Sequence, residues 1–407
     1  MDEQRAIHTE RPSISVVELL LQYPIRQSLF SNLDIKDILR LSQASFNLRQ
    51  ATRLNVNSRL GSFFNDPLAF RSQLGRCDAL VTGDFVLHFL SGISWSNSEL
   101  TIVVQQGKNS EDMSKFLKRE EYLVTAQEPS SQNWMRKDDR EPGRHYKYLN
   151  FLEKSDRKVR LISCIDLPIQ YILCSTYTSA LTNLISWNKC YSIFPRSTFI
   201  YRETVPLKPL DDCCAELHSK YSQRGWKMRA HTPFTMFHLE STKFYWKEFN
   251  SVETRERRVG DRLTWIMPLG TIGISEPSTP DFVLESAGFT VNPPSPGIPD
   301  DGMSYRTWES LHRSVFYTIH APSFQSPALR YRYSLVGTFP GILRPHLNRS
   351  TLIQLAKLDR SKREELLQGR TPQQLIRTNS VNILEFEHPP GWDYMDNAIR
   401  ENFIDED

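Results

Sequence analysis

The sequence lacks the long apolar runs that mark membrane proteins. No stretch of its 407 residues stays apolar over the ~18–20 residues that a transmembrane helix requires. Residues 1–11 are charged and polar, and no apolar segment follows them in the position of a signal peptide. We therefore expect neither a membrane partner nor a secretory leader.

Cysteine patterns typical of metal sites are also missing. The six cysteines stand at positions 77, 164, 174, 190, 213 and 214, with no CxxC pair and no histidine at zinc-finger spacing. Reduced and buried thiols are the simplest interpretation, and they are typical of the cytoplasm or the nucleus. We therefore expect a cytoplasmic or nuclear protein without a metal site.

A strong excess of charge of one sign is absent as well. The 50 basic residues nearly balance the 47 acidic ones, which leaves a formal net charge of +3. Nucleic-acid-binding domains usually concentrate basic residues, so we expect no nucleic-acid partner. Hydrophobic residues make up 39% of the chain, which is enough for a sizeable core, and the length predicts two or three domains.

Residues 12–55 carry apolar side chains at helical spacing. Pro24 interrupts the pattern, and Asp34 stands where it could cap the next helix, with Asp37 at the acidic position of a capping box. The apolar face after Pro24 includes Ile25, Leu29, Leu33, Ile38, Leu39 and Leu41. The pattern predicts two or three short helices with more apolar surface than they can bury alone.

Residues 65–270 alternate between strand and helix patterns. We predict a strand over 80–82 that ends at Gly83, a helix over 85–90, and strands over 99–104 and 159–165. A helical stretch over 166–185 is predicted to follow. This order is typical of an α/β or α+β fold with a mixed sheet flanked by helices.

The C-terminal third is less regular. Proline, serine and glycine are frequent over 275–302, which predicts an excursion or linker. Residues 303–407 are predicted to form a C-terminal extension. Its aromatic first part is compatible with a return to the fold, and a charged helix over 351–367 precedes an acidic tail.

Two further groups have a simple structural interpretation. The basic residues Arg255, Arg257 and Arg258 alternate with Glu253 and Glu256, which favours a solvated surface over a phosphate site. His88 has no second candidate ligand nearby, so we expect a residue of the core or its rim.

Residues 80–104 have the spacing of a nucleotidyl-transfer site. That chemistry uses two metal ions held by acidic side chains. Carboxylates two residues apart on a strand point the same way, and a Gly-Ser turn before a helix offers N–H groups and a hydroxyl to phosphate. Here a strand, Gly83 and a helix precede a second strand with Glu99 and Thr101 at the two acidic positions.

This segment resembles a nucleotidyltransferase-like family with a DNA polymerase beta-type fold that is abundant in filamentous fungi. Members typically show Ser-Gly-Ser, an Ala-Leu-x-Phe-Phe helix, and then Ser-Asp-Leu-Asp on the second strand. The downstream matches are Ile172-Leu173, Ser179, 183–185, 191–195, Thr198-Phe199, Lys220-Tyr221, 224–226 and Asp261-Arg262 with Trp265. The resemblance covers roughly residues 65–270.

Three departures from the family pattern remove the chemistry. Asp84 replaces the phosphate-binding serine, Thr101 replaces the second carboxylate, and Arg160 stands on the strand that carries the third. Glu99 alone remains, and Mg²⁺ binds neutral hydroxyls poorly. We therefore expect a degenerate cleft of Gly83, Asp84, Glu99, Thr101 and Arg160, without catalysis or cofactor.

Residues 21–49 resemble a divergent F-box. The family begins at a proline and continues with spaced hydrophobic residues, an Asp-Leu-like step, a Leu-x-x-Leu helix and a final arginine. The resemblance implies binding to a Skp-type adaptor of a cullin ubiquitin ligase through an apolar helical face. The contacts expected are Pro24, Ile25, Leu29, Leu33, Ile38, Leu39 and Leu41. The acidic residue expected after the proline is missing, and these helices could instead pack on the protein's own core.

The combined expectation is a non-catalytic interaction protein. Its N-terminal helices would bind the adaptor, and its inactive α/β domain would hold an unknown protein client. Two alternatives remain open. One is a Mg²⁺-dependent nucleotidyltransferase that uses Glu99, and the other is a non-catalytic nucleotide- or RNA-binding protein.

Overall fold

A computed structural model describes most of the chain from residue 55 onward. The described residues are 55–92, 99–129, 146–209, 212–229, 256–293, 316–367, 369, 371–377 and 388–404, together with Ile25, Leu33, Asp37 and Arg40. Within this part, no helix is long and apolar enough to span a membrane.

The described residues form eleven α-helices and fifteen strands. The helices are α1 Val56–Leu60, α2 Pro67–Arg76, α3 Asp84–Ser91, α4 Lys108–Arg119, α5 Pro168–Ser175, α6 Asp212–Ser222, α7 Asp281–Glu285, α8 Phe339–Lys357, α9 Arg360–Leu367, α10 Pro372–Arg377 and α11 Asp396–Ile404. The strands are β1 Leu80–Thr82, β2 Leu100–Gln105, β3 Leu123–Pro129, β4 Tyr146–Lys154, β5 Arg157–Cys164, β6 Asn183–Ile185, β7 Lys189–Ser192, β8 Glu203–Thr204, β9 Lys227–Met228, β10 Glu256–Arg258, β11 Trp265–Pro268, β12 Gly288–Asn292, β13 Thr318–His320, β14 Ser323–Phe324 and β15 Tyr333–Ser334.

A large mixed sheet of eight strands lies at the centre. Its order is β11-β7-β6-β1-β2-β5-β4-β3. The pair β2–β5 is parallel and the other pairs are antiparallel. Helices flank the sheet on both faces, so the expected mixed architecture is confirmed.

The two faces of this sheet bury different partners. One face forms the first core with α2, α3 and α4, through Val81, Ile102, Leu161, Phe70, Phe85 and Phe116. The other face forms the second core with α5 and a smaller sheet, through Leu80, Val103, Ile162, Ile172 and Phe289. Successive strand residues point to opposite faces, and β1 and β2 therefore contribute to both cores.

Local sequence explains the entry into the sheet. The side chain of Asp66 accepts hydrogen bonds from the backbone N–H groups of Leu68 and Ala69, and Pro67 occupies the first turn of α2. Gly83 then joins β1 to α3 with φ 81° and ψ −151°, a conformation that favours glycine. The predicted strand, turn and helix at 80–90 are confirmed.

The helical stretch predicted over 166–185 is wrong in its second half. Helix α5 ends at Ser175, where Thr176 is already extended. Residues 183–185 form β6 instead, which pairs with β1 on one side and β7 on the other. Pairing with β1 and β7 determines the strand conformation of residues 183–185, and the local spacing of apolar residues does not indicate this pairing.

The region predicted as an excursion or linker, residues 275–302, contains a helix and a strand in its described part. Residues 281–285 form α7, and residues 288–292 form the central strand of an antiparallel three-stranded sheet, β10-β12-β13. Val259, Phe289 and Ile319 from this small sheet and its flanks belong to the second core. Residues on both sides of position 270 therefore pack in the same core.

The C-terminal extension packs around one long helix. The single helix predicted over 351–367 is instead the end of α8 followed by α9, because Leu358 adopts an extended conformation between them. The side chain of Asp396 in α11 accepts hydrogen bonds from the N–H groups of Arg330 and Tyr331 and from the Tyr333 hydroxyl. These bonds hold α11 against β15.

The solvated surface predicted for the basic cluster is wrong at Arg257. This side chain is 2% exposed and lies between the rings of Phe194 and Phe289, at 5.3 and 5.5 Å. Its Nε and Nη2 atoms both donate to the Asp261 carboxylate at 2.9 Å, and Nη1 donates to the Ile193 carbonyl at 2.9 Å. The alternating charges over residues 253–258 did not indicate that Arg257 forms a buried bidentate ion pair.

Replacing Arg257 by methionine is expected to lower the free energy of unfolding by about 3–5 kcal/mol, because the Asp261 carboxylate loses its cation while partly buried. Arg257→Lys is expected to cost less but still destabilise, since an ammonium cannot form the fork of two parallel bonds. Urea unfolding measures both. Arg262→Met, at an exposed position, is the matched control, and an equal effect in all three variants would contradict the argument.

Candidate functional site

The turn at Gly83 lies directly beside the second strand of the predicted cleft. Thr82 pairs with Thr101 across β1 and β2. A Cβ atom on Gly83 would lie 3.4 Å from the Thr101 hydroxyl oxygen. The structure therefore brings the predicted turn and the second acidic position into contact.

Glu99 lies directly before β2, and Thr101 is the second residue of that strand. Arg160 lies beside them on the neighbouring strand β5. Thr101 and Arg160 are partners in the parallel ladder. The Arg160 Nη2 atom lies 2.8 Å from the Glu99 carboxylate, and its guanidinium lies 5.4 Å from the centre of the Phe151 ring. Arg160, which stands at the position predicted for the third carboxylate, thus forms an ion pair with Glu99.

Asp84 is the first residue of α3, where the positive end of the helix dipole favours a carboxylate. The Lys220 ammonium and the Tyr221 hydroxyl both donate hydrogen bonds to it. The Arg224 guanidinium lies 3.8 Å from the same carboxylate. Three side chains from α6 and the turn after it therefore converge on this residue.

The charge of Asp84 is stabilised by these neighbours. Burial raises the pKa of the carboxyl, but the hydrogen bonds from Lys220 and Tyr221 and the charges of Lys220 and Arg224 outweigh burial and lower the pKa below its usual value. Burial raises the pKa of the Tyr221 hydroxyl, and the Asp84 charge raises it further. The cluster is therefore a carboxylate held by two cations and a neutral phenol at neutral pH.

Sequence reasoning did not identify Lys220, Tyr221 and Arg224 as site residues. They appeared as matches to the family pattern, without an assigned role. Lys220 lies 136 residues from Asp84 along the chain, so no local charge pattern connects the two. Only the packing of α6 against the start of α3 brings them together.

His88 lies one turn after Asp84 on α3 and is buried, as expected for a residue of the core or its rim. Burial lowers the pKa of its imidazole to about 4, and the charges of Arg224 and Lys220 add to this, against the opposing effect of Asp84. The side chain is neutral at neutral pH.

The arrangement has limited means for metal chemistry. Glu99 is paired with Arg160, Asp84 with Lys220, and Thr101 offers a neutral hydroxyl. Across the described ranges, no group of three His, Cys, Asp or Glu side chains is placed to hold a metal ion. A helix N-terminus with nearby cations normally suits a phosphate, and here the protein's own carboxylate occupies that position.

The predicted adaptor-binding residues are mostly outside the described residues. Pro24, Leu29, Ile38, Leu39 and Leu41 belong to that group.

Two members of the set are described, and they differ in their surroundings. Ile25 is 37% exposed, whereas Leu33 is partly buried and packs against the first core. Leu33 thus contacts the protein's own core, as the alternative interpretation of these helices anticipates for the whole set.

The chain matches no protein-family model, no curated protein and no solved structure. The resemblances to the nucleotidyltransferase-like family and to the F-box stay predictions.

The protein is expected to lose stability in acid through His88. A pKa that is lower in the folded than in the unfolded state contributes stability above the unfolded value of about 6.5, and this stability is lost as the pH falls towards 4. The loss from this residue is expected to be ~2–3 kcal/mol between pH 7 and pH 4. Urea unfolding of the wild type and of His88→Gln at both pH values measures it.

The exposed His320 provides the matched control, and His320→Gln should retain the pH dependence of the wild type. A His88→Gln variant with an undiminished loss of stability in acid would contradict the assignment.

Proposed function

We propose that the protein is a non-catalytic interaction protein, an F-box-type adaptor of a cullin ubiquitin ligase. Its N-terminal helices bind a Skp-type adaptor, and its pseudo-nucleotidyltransferase domain is the binding module for a protein client. The observation that carries the non-catalytic part is the pairing of both cleft acids with cations of the same chain.

This pairing removes what the two-metal mechanism needs. A metal ion at Glu99 would have to displace Arg160, whose guanidinium also rests on the Phe151 ring. A phosphate at the start of α3 would meet the Asp84 carboxylate, which repels it and already uses Lys220. Groups of the protein itself therefore occupy both ligand positions, and the cleft is better suited to a structural role than to catalysis.

The adaptor part is supported by one of the four described residues of the N-terminal segment. Leu33 packs against the first core, so we do not count it among the residues that contact the adaptor. Ile25 is exposed, which leaves an apolar side chain available to a partner. Burial of one such side chain in a partner's groove contributes about 1.5–3 kcal/mol, so a few of them support stable docking.

The full-length protein is expected to co-purify with a Skp-type adaptor. A Leu29→Ala/Leu41→Ala double variant should lose this binding while keeping its circular dichroism spectrum, since two apolar contacts worth together about 3–6 kcal/mol are removed. Ile272→Ala is the control, because this side chain is 94% exposed and lies far along the chain from the segment. Wild-type protein that fails to bind would overturn the adaptor proposal.

No transfer of labelled nucleotide is expected when the protein is incubated with Mg²⁺ and nucleoside triphosphates. Label that is incorporated by the wild type but lost in Glu99→Ala, and kept in the control Glu153→Ala, would favour the nucleotidyltransferase alternative. A thermal shift with nucleotide but without turnover would favour the nucleotide-binding alternative. Neither response is expected, because Glu99 and Asp84 are both held in ion pairs.

A further inference from the structure

Helix α8 presents one apolar face to the protein. Leu343 and Leu347 contribute to the C-terminal core, which also contains Ile399 of α11. Leu355, further along the same face, packs with Leu367. The spacing of four and eight residues is that of one side of a helix.

A second stripe on α8 is exposed. Ile342 is 63% exposed and Ile353 is 52% exposed, and the exposed residues His346 and Arg349 lie between them. Spacings of four, three and four residues place these four side chains in one line along the helix. Leu352, which is 45% exposed, widens the apolar end of this stripe. We call Ile342, His346, Arg349, Leu352 and Ile353 the outer stripe.

The outer stripe carries a positive charge that no described residue neutralises. Helix α8 contains no aspartate or glutamate. Lys357 is held by Asp393 at 2.7 Å, and Arg344 lies 4.8 Å from the centre of the Phe324 ring. Arg349, in contrast, forms no ion pair with any described residue. A cation between exposed aliphatic side chains is therefore available for a partner.

A second copy of the chain is a poor occupant. Two identical stripes that meet across a two-fold axis bring the central residue of each nearest to its own copy. The middle of the outer stripe, between Ile342 and Ile353, is occupied by His346 and Arg349. Two copies would bring two guanidinium groups close together in a partly desolvated contact to which neither helix contributes a carboxylate, which disfavours this pairing.

A lipid surface fits less well than a protein. Helices that lie in a membrane interface keep their cations on the polar face, away from the acyl chains. Here Arg349 lies inside the apolar stripe, and the opposite face of α8 is buried in the protein. Insertion of the stripe would bury the guanidinium among lipid chains without a partner, which is costly.

We propose that the outer stripe docks an amphipathic, acidic helix of a protein client. Such a helix offers apolar side chains at alternating spacings of three and four to Ile342, Leu352 and Ile353. An aspartate or glutamate at its centre pairs with Arg349 and sets the register. This inference rests on the proposed function as an interaction protein, and it names the kind of helix that the client presents.

The test uses the full-length protein and two fluorescent synthetic helices of about three heptads. One carries leucines at the apolar positions and a central glutamate, and the other differs only in a central lysine. Fluorescence anisotropy should show binding of the glutamate helix, weakened about tenfold or more in Arg349→Glu and in Ile353→Ser. Arg349→Glu should in turn prefer the lysine helix.

Control variants distinguish this contact from non-specific hydrophobic binding. Ile272→Ser changes an isolated exposed isoleucine and should bind the glutamate helix as the wild type does. Equal binding of both helices by the wild type, or binding that Arg349→Glu leaves unchanged, overturns the proposal. So does self-association in light scattering that Ile353→Ser abolishes, or co-sedimentation with vesicles of anionic and zwitterionic phospholipid that requires the outer stripe.

The two proposals can fail separately. Arg349→Glu and Ile353→Ser should keep co-purification with the Skp-type adaptor, which depends on the N-terminal helices. Helix binding without adaptor binding would overturn the ligase assignment and leave the outer stripe as a docking surface. Adaptor binding without helix binding would overturn the outer stripe alone.

Discussion

The buried ion pair of Arg257 and Asp261 joins the eight-stranded sheet to the three-stranded sheet. Arg257 belongs to β10 of the small sheet, and its guanidinium donates to the Ile193 carbonyl that follows β7 of the large sheet. The Asp261 carboxylate also accepts hydrogen bonds from the backbone N–H groups of Arg258, Leu263 and Thr264. The two charges neutralise each other, and the Asp261 carboxylate fixes the turn that leads into β11. The packing of the second core therefore depends on this pair.

The same requirement, that a charge removed from water needs a partner, governs the predicted cleft. Nucleotidyl transfer requires acids that are free to bind metal ions, and a free acid is stable only where a cation or water balances it. In this chain Arg160 supplies the balance for Glu99, and Lys220 with Arg224 supplies it for Asp84. A site built in this way keeps its charges paired without a ligand.

The surface of α8 has the opposite character. Its inner residues pack against α11 and the loops around it, whereas Arg349 in the outer stripe lies among exposed aliphatic side chains and has no ion pair in the part of the chain that the structure describes. Where the cleft is closed by internal pairing, this stripe is open to pairing with another molecule. An interaction protein needs such a surface, and its chemistry limits the partner to one that brings both apolar side chains and negative charge.

Short-range physical chemistry made several elements predictable from the sequence. The Gly83 turn, helix α3 and strands β2 and β5 depend on residue spacing and on the conformational freedom of glycine, and these signals are local. The side chains predicted for the cleft, Asp84, Thr101 and Arg160, are likewise given by the sequence residue by residue. Their spatial consequence, a carboxylate and an arginine side by side, follows from the strand order once β2 and β5 are neighbours.

Other features were decided by the tertiary structure. Residues 183–185 became a strand because β1 and β7 both offer backbone partners, and residues 288–292 became the centre of a small sheet although their surroundings are rich in proline and serine. Arg257 is buried because contacts with Phe194, Phe289 and Asp261 together compensate for the loss of its hydration. Each outcome depends on groups that are distant in sequence or on a balance between desolvation and pairing. The sequence names the residues that take part, but it does not give the distances between them. Those distances determine whether pairing outweighs the cost of desolvation.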